Sequence, residues 1–228
     1  MKICAFSDIH GNIEAFQKMY VSEAEHVDLF IFLGDIFGYF YYQDEILEKI
    51  MSMKNLYAIA GNHEKNYISC MDNNNNKKIF IDKYGSSYNI HLSPQKMNYI
   101  MHLPDHQNIF AEEKKIGLFH SGELIFGEKR IYPDTFLKHE KQIDQYNYIF
   151  LGHTHYRLQK RLGNTQIINP GSLGQPRDGM GFSYAILDTQ TDAVIFKSVE
   201  LDIYHMLQAV KEKDENRTVY SYLKRKYG

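Results

Sequence analysis

Hydrophobic residues along the chain gather into short runs that stop abruptly at polar or glycine residues: KICAFSD, VDLFIFLGD, NLYAIAGN, KIGLFHSG and YNYIFLGH. Runs of this length, rich in Ile and Phe and closed by turn residues, predict strands buried on both faces. Between the first three the period changes. Across residues 12–25 the apolar positions Ile13, Phe16, Met19 and Tyr20 mark one helical face, and Ile46, Leu47, Ile50 and Met51 do so again. Alternating strands and helices imply parallel pairing through crossover helices. Ser93 followed by Pro94 predicts a helix start, with Ser as cap, running to about Met101 and stopping before Pro104. The asparagine tract 73–76, followed by Lys77 and Lys78, reads as a polar surface loop. After His155 come strands without helices between them, YRLQKRL, TQIIN, SYAILDT and AVIFKSVEL, with a hairpin turn at Gly163-Asn164. Helical patterns over 204–213 and 218–226 close the chain.

Length and composition narrow this picture. A chain of 228 residues, 43% hydrophobic and 14% aromatic, suits a single globular domain over 1–228. A net charge of −2 with interspersed signs leaves no electrostatic footprint for stable nucleic-acid binding, although a small anionic ligand is compatible. Cys4 and Cys70 form no C-x-x-C pair, and the opening MKICAFSDIHGN meets Asp and His too early for a secretory leader. No window approaches a membrane span. The expectation is a soluble protein of the reducing cytoplasm, with Cys4 as a small core residue.

The five apolar runs end in Asp8-Ile9-His10, Gly34-Asp35, Gly61-Asn62-His63-Glu64, His120-Ser121-Gly122 and Gly152-His153-Thr154-His155. Each fragment alone is weak: Asp8 would suit a helix cap, Gly-Asp is an ordinary turn pair, and two histidines fit a surface turn. Together they place oxygen and nitrogen donors at the same end of every run, the end where ligands bind open α/β sheets. Spaced two apart, His153 and His155 point to one side of an extended chain. Carboxylate, amide and imidazole donors favour divalent Mn, Fe, Zn, Ni or Co over a thiolate-selected metal. Seven donors exceed one tetrahedral site and suffice for two adjacent ions, with a shared Asp able to bridge them.

In order and spacing, from residue 1 to about residue 200, these motifs resemble the calcineurin-like metallophosphoesterases: D-x-H at Asp8 and His10, G-D at Asp35, G-N-H-[DE] at Gly61 to Glu64, a strand-end His at His120, and G-H-x-H at Gly152 to His155. GDIFGY, INPGSLGQPRDG and SYAILD resemble the small bacterial and archaeal phosphodiesterase-type branch. The resemblance implies a four-layer αββα sandwich of two mixed sheets flanked by helices. It implies one metal held by Asp8, His10 and His155, a second held by Asn62, His120 and His153, and Asp35 bridging them. It also gives His63 the part of general acid. The chain departs from the pattern at His120-Ser121-Gly122, where His-Gly is usual, and residues 123–135 match nothing in it.

The resulting expectation is a phosphoesterase with two divalent ions, manganese among the candidates, acting on a small phosphorylated substrate such as a nucleotide. Metal-bound hydroxide would attack phosphorus in line, across metals about 3.5–4 Å apart, while His63 protonates the leaving alkoxide. A diester is favoured over a monoester because Arg177 is the one evident extra cation, a candidate substrate-binding group with paired donors. Asn12 reads as a helix cap, Glu64 as structural, and the 18 tyrosines as packing, with residues 39–42 a candidate ring-binding wall. The alternatives are a phosphomonoester or phosphoprotein hydrolase, a dinucleoside-polyphosphate hydrolase, and a metal-binding scaffold of the same fold. The presence of His63 argues against the last.

Overall fold

The computed structural model describes residues 1–213 and 218–227. Strands β1 (Lys2–Phe6), β2 (Leu29–Phe32) and β3 (Leu56–Ala58) run parallel, connected by α1 (Ile13–Glu23) and α2 (Gln43–Ser52). On the other side of β1 the sheet continues antiparallel through β9 (Phe182–Asp188) and β10 (Ala193–Val199), giving the order β10-β9-β1-β2-β3. A second mixed sheet, ordered β4-β5-β6-β8-β7, contains β4 (His106–Ala111), β5 (Lys114–Phe119), β6 (Tyr148–Phe150), β7 (Arg157–Leu162) and β8 (Thr165–Pro170). The five apolar runs are therefore divided, three in one sheet and two in the other.

Continuous hydrophobicity follows from burial of both faces of these strands. In β1, Ile3 and Ala5 point between the sheets while Cys4 and Phe6 pack outward against helices. Leu29 and Ile31 alternate in the same way with Phe30 and Phe32 in β2. Ile116, Leu118, Tyr148 and Phe150 supply the facing half of the inter-sheet core. Full burial of such a side chain stabilises by about 1.5–3 kcal/mol relative to exposure, so both faces hold the sandwich together.

The outer layers are unequal. Over the first sheet lie α1, α2, α3 (Asn62–Asp72), α5 (Pro94–Met101), α7 (Ile203–Lys213) and α8 (Thr218–Tyr227), which contribute residues such as Phe16, Leu47, Tyr67, Ile100, Val210 and Leu223 to one core. The second sheet is covered by the short α6 (Glu123–Phe126) and irregular chain carrying Ile131, Leu137 and Ile143. The architecture is an αββα sandwich whose fourth layer is thin. Among the described residues, no helix is long and apolar enough to cross a membrane.

Two local readings change. The asparagine tract is not a loop: Asn73 caps α4 (Asn74–Tyr84), its side chain accepting from the N–H groups of Asn75 and Asn76 at 2.9 and 3.3 Å. Asparagine is a poor helix interior residue but a strong cap, and Phe80, Ile81 and Tyr84 anchor the helix further on. Strand β4 had no predicted counterpart because HQNIFA is only partly apolar; it is an edge strand antiparallel to β5 with Ile109 and Ala111 inward and Phe110 exposed. We expect Asn73→Ala to destabilise the protein by about 0.5–2 kcal/mol in urea denaturation. Asn75→Ala, in an exposed first-turn position, should be neutral or stabilising.

Candidate metal centre

The carboxyl ends of β1, β2, β3, β5 and β6 open onto one place between the two sheets. The donor atoms of Asp8, His10 and His155 lie within 4.8 Å of one another, as do those of Asp35, His120 and His153, and those of His10, Asp35 and His63. His155 Nε2 is 3.1 Å from Asp8 Oδ1 and 3.2 Å from His10 Nε2. On the other side, His120 Nε2 is 3.2 Å from Asp35 Oδ2 and 3.1 Å from Asn62 Oδ1, which lies 2.7 Å from His153 Nδ1. All seven residues singled out as donors in the sequence thus converge. The extra serine after His120 does not draw it away.

The backbone bends sharply to achieve this. Asp8, His10, Asp35, His153 and His155 have φ between 48° and 68°, in the left-handed region that costs an L-residue on the order of 1–3 kcal/mol. Hydrogen bonds hold the bends in place. Asp8 N donates to Gly34 O at 2.9 Å, His10 N to Asp35 O at 3.0 Å, and Gly152 N to His120 O at 3.0 Å. Gly61 is required by proximity, since a Cβ there would collide with the Asp35 carboxylate.

Three imidazoles have their Nδ1 on backbone carbonyls: His10 on Phe37 O at 2.6 Å, His120 on Leu33 O at 2.7 Å, and His155 on Gln175 O at 2.7 Å. A carbonyl only accepts, so Nδ1 carries a proton in each ring and Nε2 is the nitrogen turned to the centre. Lone pairs on His10 and His155 then converge with a buried Asp8 Oδ1 that has no hydrogen-bond partner, and His153 Nε2 is likewise buried and unsatisfied. Divalent cations fit this donor set, because they satisfy several facing lone pairs at once.

Electrostatics act in the same sense. Burial opposes ionisation of Asp8, but His155 and then His120 outweigh it and lower its pKa to about 2. Asp35 is also held well below the usual carboxylate range, burial being overcome first by His120 and then by His63. His63 and His153 are each pushed down to about 4, chiefly by burial. His120 moves the other way, to about 10, because Asp35 outweighs its desolvation. Two anionic carboxylates thus sit among mainly neutral imidazoles.

Several supporting groups are legible only in three dimensions. Glu64 accepts from the N–H groups of Asp35, Ile36 and Gly61 at 2.6–2.8 Å, clamping the β2 and β3 ends together. Burial and the neighbouring Asp35 raise its pKa to about 7. Asn169 donates to Gly152 O and Thr154 Oγ1, and Ser172 donates to Asp8 O; both lie in the INPGSLGQPRDG stretch. Asn12 accepts from Ala15 N as a cap and also donates to Leu173 O. Arg177 is exposed, with Nη2 on Gln175 Oε1 at 2.8 Å. The aromatic stretch after Asp35 divides: Tyr39 packs edgewise on His10 at 4.9 Å, whereas Tyr41 and Tyr42 line a separate cavity beside α7.

Comparison with known proteins bears on the fold and the family. The chain is 28% identical over 230 residues to protein MJ0912 of Methanocaldococcus jannaschii, covering 88% of each. Its structure is similar to a metallophosphoesterase from Sphaerobacter thermophilus, with TM-score 0.70 and 25% identity over 98% of this chain and 100% of the other. Protein PH1004 of Pyrococcus horikoshii shares the fold with TM-score 0.77 and 19% identity, over 97% of each chain. Residues 1–192 match the model for the calcineurin-like phosphoesterase superfamily domain, and the chain belongs to that superfamily.

Proposed function

We propose that this phosphoesterase is a dinuclear metal-dependent phosphodiesterase. The observation that carries the reading is the position of Asp35, whose carboxylate belongs to a donor cluster with His120 and His153 and to another with His10 and His63, beside the Asp8–His10–His155 triad. Asp8, His10 and His155 would hold one divalent ion, Asn62, His120 and His153 the other, and Asp35 both. Bound there, such ions neutralise phosphoryl oxygens and lower the pKa of water, to about 7 for zinc. Manganese is one of the ions this donor set accepts; Fe, Zn, Ni and Co are the others.

The protein's own part is to orient and to deliver a proton. His63 is buried, its Nε2 3.9 Å from Asp35 Oδ2, and its backbone N–H donates to Asp35 Oδ1 at 2.8 Å. One residue thereby steadies Asp35 and presents an imidazole at the edge of the centre, where it would protonate the leaving oxygen. A cavity of about 320 Å³ adjoins Asn62, His120 and His153 and is lined also by Lys65, Asp105, Ser121, Glu123 and Lys129. Its charges are balanced, and Lys65 is paired with Asp105 at 2.8 Å. A near-neutral wall favours a singly charged diester over a dianionic monoester, with Arg177 as a secondary phosphate contact.

Metal analysis tests the assignment. His155→Ala should lose one of two equivalents, and adding Asp8→Asn should remove no more; His155→Ala with His153→Ala should lose both. Loss of both ions on combining His155→Ala with Asp8→Asn would overturn it. His63→Ala should keep its metal and lose about 10²- to 10⁴-fold in turnover on a diester with a poor leaving group. With manganese added, a chromogenic diester should be hydrolysed faster than its monoester; the reverse order would make the enzyme a monoesterase, and no turnover of either by metal-loaded protein would favour a scaffold.

A further inference from the structure

The chemistry of the group facing each Nδ1 divides the site histidines. For His10, His120 and His155 that group is a carbonyl, which holds a proton on Nδ1 and turns Nε2 toward the centre. For His63 it is a hydroxyl, that of Tyr88, at 2.5 Å. A phenol can donate, so Nδ1 can be the acceptor and Nε2 the protonated nitrogen. On the far side of the ring Nε2 faces the Asp35 carboxylate at 3.9 Å, an acceptor and not a donor. The carboxylate favours a proton on Nε2 and the phenol, able to donate, permits it, whereas the carbonyls at the three other rings require a proton on Nδ1.

Tyr88 is held tightly enough to impose this. It lies in a 3₁₀ turn (Ser86–Asn89) just after α4 and is fully buried. Its ring stacks on Phe80 at 5.4 Å and meets Phe37 at 6.5 Å, and Phe37 in turn stacks on Tyr67 at 4.2 Å. Tyr84 contacts the His63 ring at 4.6 Å, and its carbonyl accepts from Tyr39 N at 2.6 Å, tying this segment to the loop after Asp35. At Gly38, φ is +89° and a Cβ would lie 2.7 Å from His63 Nδ1. Any other residue there would crowd the nitrogen that Tyr88 approaches.

We propose that Tyr88 is a positioning residue whose hydroxyl donates to Nδ1 of His63, locking the imidazole in the tautomer that carries its proton on Nε2, toward the substrate. The proposal rests on His63 as general acid. When Nε2–H passes its proton to the leaving alkoxide, the phenol keeps its own proton and its hydrogen bond to Nδ1 strengthens against the negative charge that develops on the ring; water restores the Nε2 proton as the alcohol departs. No bond within Tyr88 is made or broken.

Two diesters test it, one with a nitrophenolate leaving group that needs no proton and one with an alkoxide that does. Tyr88→Phe should lower kcat on the alkoxide ester about tenfold, the scale of one buried hydrogen bond, with KM, metal content and nitrophenyl-ester turnover within about twofold of wild type. Equal losses on both esters, or no loss on either, would overturn the proposal. Should the variant fail to fold, ¹⁵N spectra of histidine-labelled wild type loaded with zinc decide: His63 should show an unprotonated Nδ1 and a protonated Nε2, and the opposite tautomer sinks the idea. His63→Ala run on the same two esters separates the readings. If it shows no preference for the alkoxide ester, the general-acid role falls, while the ¹⁵N result still judges the Tyr88 contact.

Discussion

Two fully buried carboxylates, Asp8 and Asp35, govern this structure. An unpaired charge removed from water costs several kcal/mol even after the protein relaxes, so everything around them has to compensate. Four imidazoles and an amide from four strand ends converge on the pair, carbonyls fix the orientation of three of the rings, and Glu64 and Ser172 lock the loops that carry the acids. The left-handed backbone at five of the donors is a further cost of the same requirement. Such strain persists only where surrounding contacts over-determine it.

Much of this was legible in the sequence because two signals coincide. Buried strands leave continuous apolar runs, and a site at strand ends leaves polar residues next to them. The alternation Ile3, Ala5 against Cys4, Phe6 explains why the runs are unbroken: each strand faces two cores. The division of the runs between two sheets was not readable from periodicity, since strands of either sheet present the same pattern. It followed instead from resemblance to a known fold.

What escaped the sequence has a common cause. Strand β4 sits at an edge and buries only one side, so its hydrophobic signal is halved. The α4 segment looked like a polar surface loop because its cap is a property of backbone geometry, and its anchoring aromatics lie further along. The same segment supplies Tyr84 and Tyr88 beside His63. Tyrosines scattered among 18 carry no positional signal until folding brings one of them to a particular nitrogen.

Drawing each donor cluster from distant parts of the chain also affects synthesis. His10 and His155, whose Nε2 atoms end 3.2 Å apart, are 145 residues apart in sequence. At about 5–20 residues per second of translation, roughly 7–30 s separate their appearance. Strands β1, β2 and β3 can pair in that interval, but the acids at their ends must wait for the second sheet. Capture of a cation by Asp8, His10 and His155 would therefore be a late event in the life of the nascent chain, one that joins its first strand to its later half.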